Sequence, residues 1–274
     1  MRQTIIDISQ SNLKAYDNIK TAVKYENSTC IMKNESLILD KLKPQFKDKT
    51  ILEIGVGGGR LTPALFEISK DYIGIDWSEK MISRCRERFP HISFMTCDAR
   101  DLFRFENESI DLIVFSYNGI DYIDHSGRMA ALREIHRVLS ASGVFVFSSH
   151  NWRGGVLRPW QLMQPWRMNP LRHPRSFLKS SIGFLICCFN HKRNRRYEIY
   201  DDEFCIVNDQ GDDYTLLTYY IDVGKQINQL NECGFKTIEA IDLNGNVLSE
   251  IDYMECQDTW IYYICRKAVE EIEG

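Results

Sequence analysis

The stretch Leu52-Glu53-Ile54-Gly55-Val56-Gly57-Gly58-Gly59-Arg60 follows a short β-branched run and precedes a helical pattern. Glycines at such a turn let the backbone bend sharply and bring a ligand against main-chain N–H groups, with no side chain in the way. A dinucleotide fingerprint, G-x-G-x-x-G, would need a third glycine where Arg60 stands. The pattern E-x-G-x-G-x-G, in contrast, is complete from Glu53 to Gly59. The stretch therefore predicts a ligand-binding loop between a first strand and a helix.

Short apolar runs alternate with helical patterns around this loop, from residue 49 to residue 151. Such alternation is typical of successive βαβ units, which build a parallel sheet. We place strands at Thr50–Ile54, Tyr72–Asp76, Ile92–Thr96, Ile110–Ser116 and Val144–Ser149, and helices at Leu61–Ser69, Glu79–Phe89 and Arg128–Leu139. Gly143 is expected to close the last helix. The sequence thus predicts an α/β nucleotide-binding core.

The remaining segments complete one domain in four parts. We expect a helical N-terminal cover at residues 1–48, the cofactor-binding core at 49–151, an acceptor-side insertion or lid at 152–218 and the C-terminal part of the sheet at 219–274. Ser11–Leu42 is helix-rich, and Ser176–Phe189 predicts a helix in the insertion. After a helix at Val223–Cys233, strands at Thr237–Asp242 and Trp260–Cys265 would pair as an antiparallel hairpin.

The composition excludes several classes of protein. Of the 274 residues, 44% are hydrophobic and 26% charged, which is ordinary for a globular chain and not for a disordered or fibrous one. The longest apolar run, Ile182–Phe189, is far shorter than the roughly twenty residues that a membrane-spanning helix needs. The N-terminus does not resemble a secretory signal, so we expect a cytoplasmic protein. Nine cysteines without a C-x-x-C pair favour reduced thiols, and no metal site is expected.

The glycine-rich stretch resembles motif I of the class I S-adenosylmethionine-dependent methyltransferases, and three later features fall where that family has them. Asp76 ends the second strand, Cys97-Asp98-Ala99 ends the third, and Ile110–Ser116 with Arg133–Leu139 resembles the fourth strand and its helix. The resemblance covers about residues 37–150, with weaker agreement over 223–266. It implies a Rossmann-like, seven-stranded, mostly parallel sheet with flanking helices, whose last strand is inserted antiparallel.

The same resemblance implies the cofactor S-adenosyl-L-methionine, which leaves as S-adenosyl-L-homocysteine. Asp76 would accept hydrogen bonds from both ribose hydroxyls, and Asp98 with the N–H of Ala99 would meet the adenine. Trp77 would stack on the adenine or pack in the core. Arg60 is expected to be an exposed helix residue, with the methionine carboxylate as its alternative partner. The expected cofactor-binding residues are Glu53, Gly55, Gly57, Gly59, Asp76, Trp77, Asp98, Ala99 and Phe115.

Candidate acceptor-site residues follow the fourth and fifth strands, because ligands of open parallel sheets bind above the C-terminal strand ends. They are Tyr117, Asn118, Asp121, Tyr122, His125 and His150. His150 and His125 are candidate general bases, with capping or structural roles as the alternative. His136, inside an amphipathic helix, is expected to be structural. Tyr16 and Tyr25 would either close over the cofactor or be ordinary core or surface residues.

The expected function is methyl transfer to an oxygen or nitrogen atom of a small-molecule, sugar or lipid-linked acceptor. A base is needed only if that acceptor is a hydroxyl or a protonated amine, since positioning supplies most of the acceleration. Two alternatives remain open: an NAD(P)-binding Rossmann oxidoreductase, and a methyltransferase-like binding protein without catalysis. Titration with S-adenosylhomocysteine and with NAD distinguishes a methyltransferase from the NAD(P)-binding oxidoreductase.

The insertion is strongly basic although the protein is acidic overall. From Trp152 to Tyr197 there are ten Lys and Arg residues and no Asp or Glu, whereas the net charge of the chain is −4. Three of the five tryptophans also lie there. This composition favours an anionic or lipid-linked acceptor and peripheral membrane contact through residues 152–196. The alternative is pairing with the acidic stretch Glu198–Asp213; nucleic acid is disfavoured by the overall acidity.

Overall fold

The computed structural model describes residues 8–16, 30–164, 169 and 172–268 of the chain. Its strands are β1 Ile51–Ile54, β2 Tyr72–Asp76, β3 Ser93–Thr96, β4 Ile110–Phe115, β5 Leu139–His150, β6 Ile199–Tyr200, β7 Cys205–Val207, β8 Thr218–Tyr220, β9 Phe235–Ile241 and β10 Trp260–Lys267. Its α-helices are α1 Ile8–Tyr16, α2 Lys33–Phe46, α3 Thr62–Ile68, α4 Glu79–Arg88, α5 His125–Val138, α6 Pro159–Leu162, α7 Pro174–Asn194 and α8 Val223–Glu232. Short 3-10 helices cover Gly119–Tyr122, Trp152–Gly154, Arg195–Tyr197 and Asp252–Met254.

Seven strands form one sheet in the order β3-β2-β1-β4-β5-β10-β9. Strands β1 to β5 run parallel to their neighbours, whereas β10 is antiparallel to both β5 and β9. The expected Rossmann-like sheet, its antiparallel last strand and the C-terminal hairpin are therefore confirmed. Because the strand order reverses between β1 and β4, a crevice opens at their carboxyl ends, where ligands of open α/β sheets bind.

Alternation along the central strands builds an apolar core on each face of the sheet. In β5, Phe145 and Phe147 pack on one face with α5, while Val144 and Val146 point to the other face, which α2 and α3 cover. The rings of Phe145 and Phe147 stack 4.8 Å apart, and Phe147 also stacks on Tyr263 of β10 at 5.1 Å. Two buried faces make the central strands rigid supports for the loops at their ends.

One boundary in the core differs from the sequence-based expectation. The other core elements have ends shifted by at most three residues, but α5 ends at Val138 and β5 begins at once at Leu139. Gly143 therefore lies inside β5 and does not close the helix, so that expectation was wrong. Leu139 pairs with Ile110, but Val144 pairs with Leu112, which makes β5 irregular between them. A Cβ at Gly143 would lie 3.0 Å from the carbonyl oxygen of Asp111, which explains the glycine.

The insertion after β5 contains α6, α7 and a small antiparallel sheet in the order β6-β7-β8. The sequence pattern did not predict this sheet, because strands of two or three residues are too short to show alternation. Helix α1 bridges the core and the insertion: Asn12 Nδ2 donates to the carbonyls of Tyr122 (3.0 Å) and Leu217 (2.8 Å). No helix among the described residues has the length and apolarity needed to cross a bilayer.

Candidate active site

A cleft of about 970 Å³, including the solvent at its mouth, lies at the carboxyl ends of β1, β2 and β4. Eight of the expected cofactor-binding residues and two of the candidate acceptor-site residues line it: Glu53, Gly55, Gly57, Asp76, Trp77, Asp98, Ala99 and Phe115, and Tyr117 and Tyr122. Tyr16 of α1, Met81 of α4 and Ile123 also line the walls. Apolar walls with a few polar groups are typical of a small-molecule site.

The glycine loop after β1 adopts backbone angles that other residues rarely take. The φ angles of Gly55, Gly57 and Gly59 are 68°, 53° and 76°. A Cβ at Gly55 would lie 2.9 Å from the ring of Phe115. Gly59 faces away from the cleft, since its Cβ would lie 2.6 Å from the ring of Phe89. The loop therefore needs glycine both for its turn and for its close approach to Phe115.

Asp76 ties the end of β2 to the glycine loop. Its Oδ2 accepts the N–H of Gly57 at 3.0 Å, and its Oδ1 accepts the N–H of Ser78 at 2.9 Å. Each carboxylate oxygen has two lone pairs and can accept a further hydrogen bond. The side chain lines the cleft, so it can receive the two hydroxyls of a ribose while it organises the loop.

Asp98 at the end of β3 is engaged by its own neighbour. Arg100 donates from Nη2 to Oδ2 at 2.6 Å and from Nε to both oxygens at 3.0 Å, while its backbone N–H donates to Oδ1 at 2.9 Å. Ala99, Trp77 and Cys97 line the cleft beside it. A carboxylate fixed in this way is oriented in advance, and an amino group that binds it would replace one of the donors of Arg100.

Glu53 lies buried below the glycine loop. Thr62 Oγ1 donates to its Oε2 at 3.0 Å, and the hydroxyl of Tyr72 donates to the same oxygen. Burial raises the pKa of Glu53 to about 7, and the hydrogen bonds from Tyr72 and Thr62 partly oppose that shift. The carboxyl group thus titrates close to neutral pH.

Substitution of Glu53 by glutamine is expected to change how stability depends on pH. The folded pKa of Glu53, about 7, lies above the ordinary value of 4.5. The carboxyl group of Glu53 therefore contributes fully to the free energy of unfolding below pH 4.5, and this contribution is lost as the pH rises through 7. The stability of the wild type relative to Glu53→Gln should therefore fall by up to roughly 3 kcal/mol from pH 4.5 to pH 8. Urea unfolding across that range measures the difference. Parallel stability curves for the two proteins would contradict the burial argument.

Arg60 and Glu35 form an ion pair beside the glycine loop. Arg60 Nη2 lies 2.6 Å from Glu35 Oε1, Nη1 contacts Oε2, and the guanidinium lies 4.8 Å from the ring centre of Tyr117. The hydroxyl of Tyr262 also donates to Glu35. The side chain of Arg60 is only 11% exposed, so the expectation of an exposed residue was wrong. Sequence reasoning missed Glu35 and Tyr262, because no spacing rule links them to the loop.

His150 ends β5 in a buried polar network. Its backbone N–H donates to Asp121 Oδ2 at 2.6 Å, its Nδ1 lies 2.7 Å from the same oxygen, and its Nε2 lies 3.3 Å from Asn118 Nδ2. Arg128 Nη1 donates to Asp121 Oδ1 at 2.5 Å. The carboxylate of Asp121 thus orients the imidazole, and Asn118 connects it to Tyr117 at the cleft wall.

Tyr117 and Asn118 both adopt left-handed backbone angles, with φ of 55° and 60°. Two such residues in succession store strain of order 1 kcal/mol or more each, and this kind of strain concentrates at functional sites. Asn118 is held by its N–H, which donates to Ser148 Oγ at 2.8 Å. The strained turn places the ring of Tyr117 6.2 Å from that of Trp260.

His125 and His136 lie outside the cleft lining, as do Asn118, Asp121 and His150. The Nδ1 of His125 is 2.9 Å from the hydroxyl of Tyr219, and its ring stacks on Phe204 at 4.3 Å. Burial, followed by the nearby Arg128, lowers the pKa of His125. His136 packs edge-on against Phe235, and burial lowers its pKa. Tyr25, the other tyrosine expected near the cofactor with Tyr16, lies outside the described residues.

Comparison with known proteins agrees with this architecture. A methyltransferase-domain family model matches residues 51–143. An uncharacterized methyltransferase of Oceanobacillus iheyensis is 30% identical over 149 residues, which cover 54% of this chain and 67% of that protein. A probable S-adenosylmethionine-dependent methyltransferase of Mycobacterium tuberculosis is 24% identical over 119 residues, but the match spans only 42% of its length and 43% of this chain.

The fold matches a solved structure over nearly its whole length. The 1,6-didemethyltoxoflavin-N1-methyltransferase of Burkholderia thailandensis, with bound 1,6-didemethyltoxoflavin and S-adenosylhomocysteine, superposes with a TM-score of 0.58 and 11% identity. The match covers 98% of this chain and 93% of that one. At this identity the likeness shows the fold alone, whereas the Oceanobacillus relative shows the family. The chain belongs to the class I S-adenosylmethionine-dependent methyltransferases, and its cofactor is S-adenosyl-L-methionine.

Proposed function

We propose that the protein transfers the methyl group to an oxygen or nitrogen atom of a small-molecule, sugar or lipid-linked acceptor, with His150 as the general base. The observation that carries this proposal is the pairing of His150 with a fully buried carboxylate at the end of β5. A base so placed serves an acceptor that must lose a proton, such as a hydroxyl or an ammonium group. A thiolate, which has already lost its proton, would not need it.

The cofactor is proposed to occupy the cleft between the glycine loop and Asp76. Asp76 binds the ribose hydroxyls, Asp98 and the N–H of Ala99 bind the adenine, and Trp77 covers the ring. Phe115 and the glycines Gly55 and Gly57 shape the wall behind the ribose and the methionine part. The support is their shared position around one cleft and the carboxylate that already organises the loop.

The bound cofactor supplies a methyl group carried by a sulfonium, and the sulfur is left as a neutral thioether after the transfer. The chain's task is to position the acceptor and to remove its proton. We place the proton of the neutral imidazole on Nδ1, which faces Asp121, so that the amide of Asn118 can donate toward Nε2. Nε2 is thus the basic atom, and it becomes available when the acceptor displaces Asn118. Asp121 stabilises the imidazolium that forms.

The acceptor is proposed to lie between the cleft and His150. Tyr117 and Tyr122 line the cleft on that side, and the ring of Tyr220 lies 4.9 Å from that of His150. These aromatic rings offer a flat apolar surface with polar edges, which suits an aromatic or sugar-like acceptor. His125 stacks on Phe204 and contacts Tyr219, whereas His150 contacts the carboxylate of Asp121, so we assign the base to His150.

Substitution of His150 by glutamine is expected to lower kcat about 100-fold, which is the lower end of what a general base contributes. Glutamine keeps polar atoms near Asp121 but cannot take up a proton. The affinity for S-adenosylhomocysteine should stay unchanged. His91→Gln, at an exposed histidine in the turn before β3, is the matched control and should retain full activity. A kcat of His150→Gln equal to that of the wild type would overturn the base assignment.

An acceptor screen is the direct test of the transfer reaction. Candidate hydroxyl and amine compounds, free, glycosidic and lipid-linked, are incubated with the cofactor, and release of S-adenosylhomocysteine is followed. Methylation at O or N supports the proposal, and a C-methylated product would contradict it. Tight S-adenosylhomocysteine binding with no methylated acceptor would instead favour the non-catalytic binding protein.

A further inference from the structure

Helix α7 packs onto the insertion through its polar side chains. Asn194 Nδ2 donates to the carbonyl of Tyr214 at 2.9 Å, and His191 Nδ1 lies 2.8 Å from Asn208 Oδ1. Both His191 and Asn194 are buried. A surface helix of a globular protein ordinarily buries its apolar stripe and exposes its polar face. Helix α7 instead buries Cys187, His191 and Asn194 and leaves most of its large apolar side chains exposed.

The opposite face of α7 exposes large apolar side chains, here called the α7 stripe. They are between 48% and 66% exposed, and their spacing of four, three, one and three residues puts them on one side of the helix. The members of the stripe are Leu178, Ile182, Leu185, Ile186 and Phe189. An apolar strip that runs along three turns of an exposed helix marks an interaction site.

Exposed cations surround the α7 stripe. Helical spacing places Lys179 and Lys192 on its two edges, and Arg175 and Arg193 at its two ends. Within the described ranges no carboxylate pairs with these four cations, whereas Arg158 does pair with Glu198 at 2.9 Å. Glu198, at the start of the acidic stretch, thus neutralises Arg158 but leaves the charge of α7 available.

We propose that the α7 stripe and its four cations dock the protein on an anionic phospholipid bilayer, with α7 lying flat in the interface. An anionic bilayer offers apolar chains for the stripe and negative headgroups for the cations on both of its edges. A second copy of the chain fits less well, because a symmetric contact would bring the same cations face to face. The proposal extends the lipid-linked acceptor class proposed above but does not depend on methyl transfer.

Co-sedimentation of the full chain with vesicles tests this docking directly. Vesicles of phosphatidylcholine alone are compared with vesicles that contain about 30% phosphatidylserine, at low and high salt. We expect binding only to the anionic vesicles and weaker binding at high salt. The triple variant Lys179→Gln, Lys192→Gln, Arg193→Gln should bind on the order of 100-fold more weakly, since each cation near such a surface is worth about fivefold. Leu185→Ser with Phe189→Ser should also lose binding.

Matched controls separate these effects from general charge and hydrophobicity. The charge control is the triple variant Lys47→Gln, Lys49→Gln, Lys236→Gln, which changes the net charge equally at exposed sites outside α7. The apolar control is Ile251→Ser with Met254→Ser, which removes exposed apolar groups outside α7. Both controls should bind as the wild type does. Equal vesicle binding by the α7 variants, or no binding by the wild type, would overturn the proposal. A dimer of the wild type in sedimentation velocity that is absent in the variant Leu185→Ser with Phe189→Ser would also overturn the proposal. Because no acceptor is involved, failure here leaves the proposed methyl transfer intact.

Discussion

Replacing Asp76 by alanine is expected to weaken the binding of S-adenosylhomocysteine about 1,000-fold, because two hydrogen bonds to a charged group are lost at roughly 1.5 to 3 kcal/mol each. The N–H groups of Gly57 and Ser78 lose their acceptor at the same time, so the glycine loop also loses its tie to β2. Isothermal titration measures the affinity, and circular dichroism confirms that the variant is folded.

Two further variants make the Asp76 result specific. Asp76→Asn keeps one acceptor oxygen and should fall between alanine and the wild type. Asp71→Ala, just before the other end of β2, removes a carboxylate that accepts from Thr50 Oγ1 at 2.7 Å and should leave the affinity unchanged. If folded Asp76→Ala binds as tightly as the wild type, Asp76 does not hold the ribose.

Replacing Arg128 by leucine is expected to lower the free energy of unfolding by about 3 to 5 kcal/mol, because it leaves the carboxylate of Asp121 buried without its cation. Arg128 and Asp121 are both fully buried. Arg128 also donates to Gln229 Oε1 at 2.9 Å and to Ser149 Oγ at 3.0 Å, and it lies 4.5 Å from the ring centre of Tyr219. Urea unfolding followed by circular dichroism measures the loss.

A double variant distinguishes the orphaned charge from simple loss of packing. Arg128→Leu with Asp121→Leu should be less destabilised than Arg128→Leu alone, because no unpaired charge remains. Arg133→Ala, an exposed arginine on the same helix, should change stability by no more than about 0.5 kcal/mol. A double variant at least as unstable as Arg128→Leu would show that the ion pair is not the cause.

The sequence predicted the sheet and the cofactor cleft because their signals are local. Glu53, Gly55 and Gly57 lie in one motif, and Asp76 follows at the end of the next strand, so chain order alone brings them to the same edge of a parallel sheet. The structure places them around one cleft. Their individual contacts with the cofactor remain predictions.

The acceptor side could not be predicted in the same way, because its contacts join distant parts of the chain. Arg128 meets Gln229 about one hundred residues later, and Glu35 meets Tyr262 from the opposite end of the sequence. A histidine such as His150 has the same local pattern whether it caps a strand or serves as a base, and the sequence does not show its contact with Asp121. The exposed stripe of α7 likewise could not be predicted, because the sequence does not show that His191 and Asn194 lie on the buried face of the helix.

Isothermal titration of the wild-type chain with S-adenosylhomocysteine, and separately with NAD, tests most directly that the cleft beside the glycine loop and Asp76 holds the methyl donor. We expect this assignment to give one S-adenosylhomocysteine bound per chain, no heat from NAD, and loss of the S-adenosylhomocysteine heat in Asp76→Ala but not in Asp71→Ala. Heat from NAD alone, or S-adenosylhomocysteine binding that is indifferent to Asp76, would contradict it.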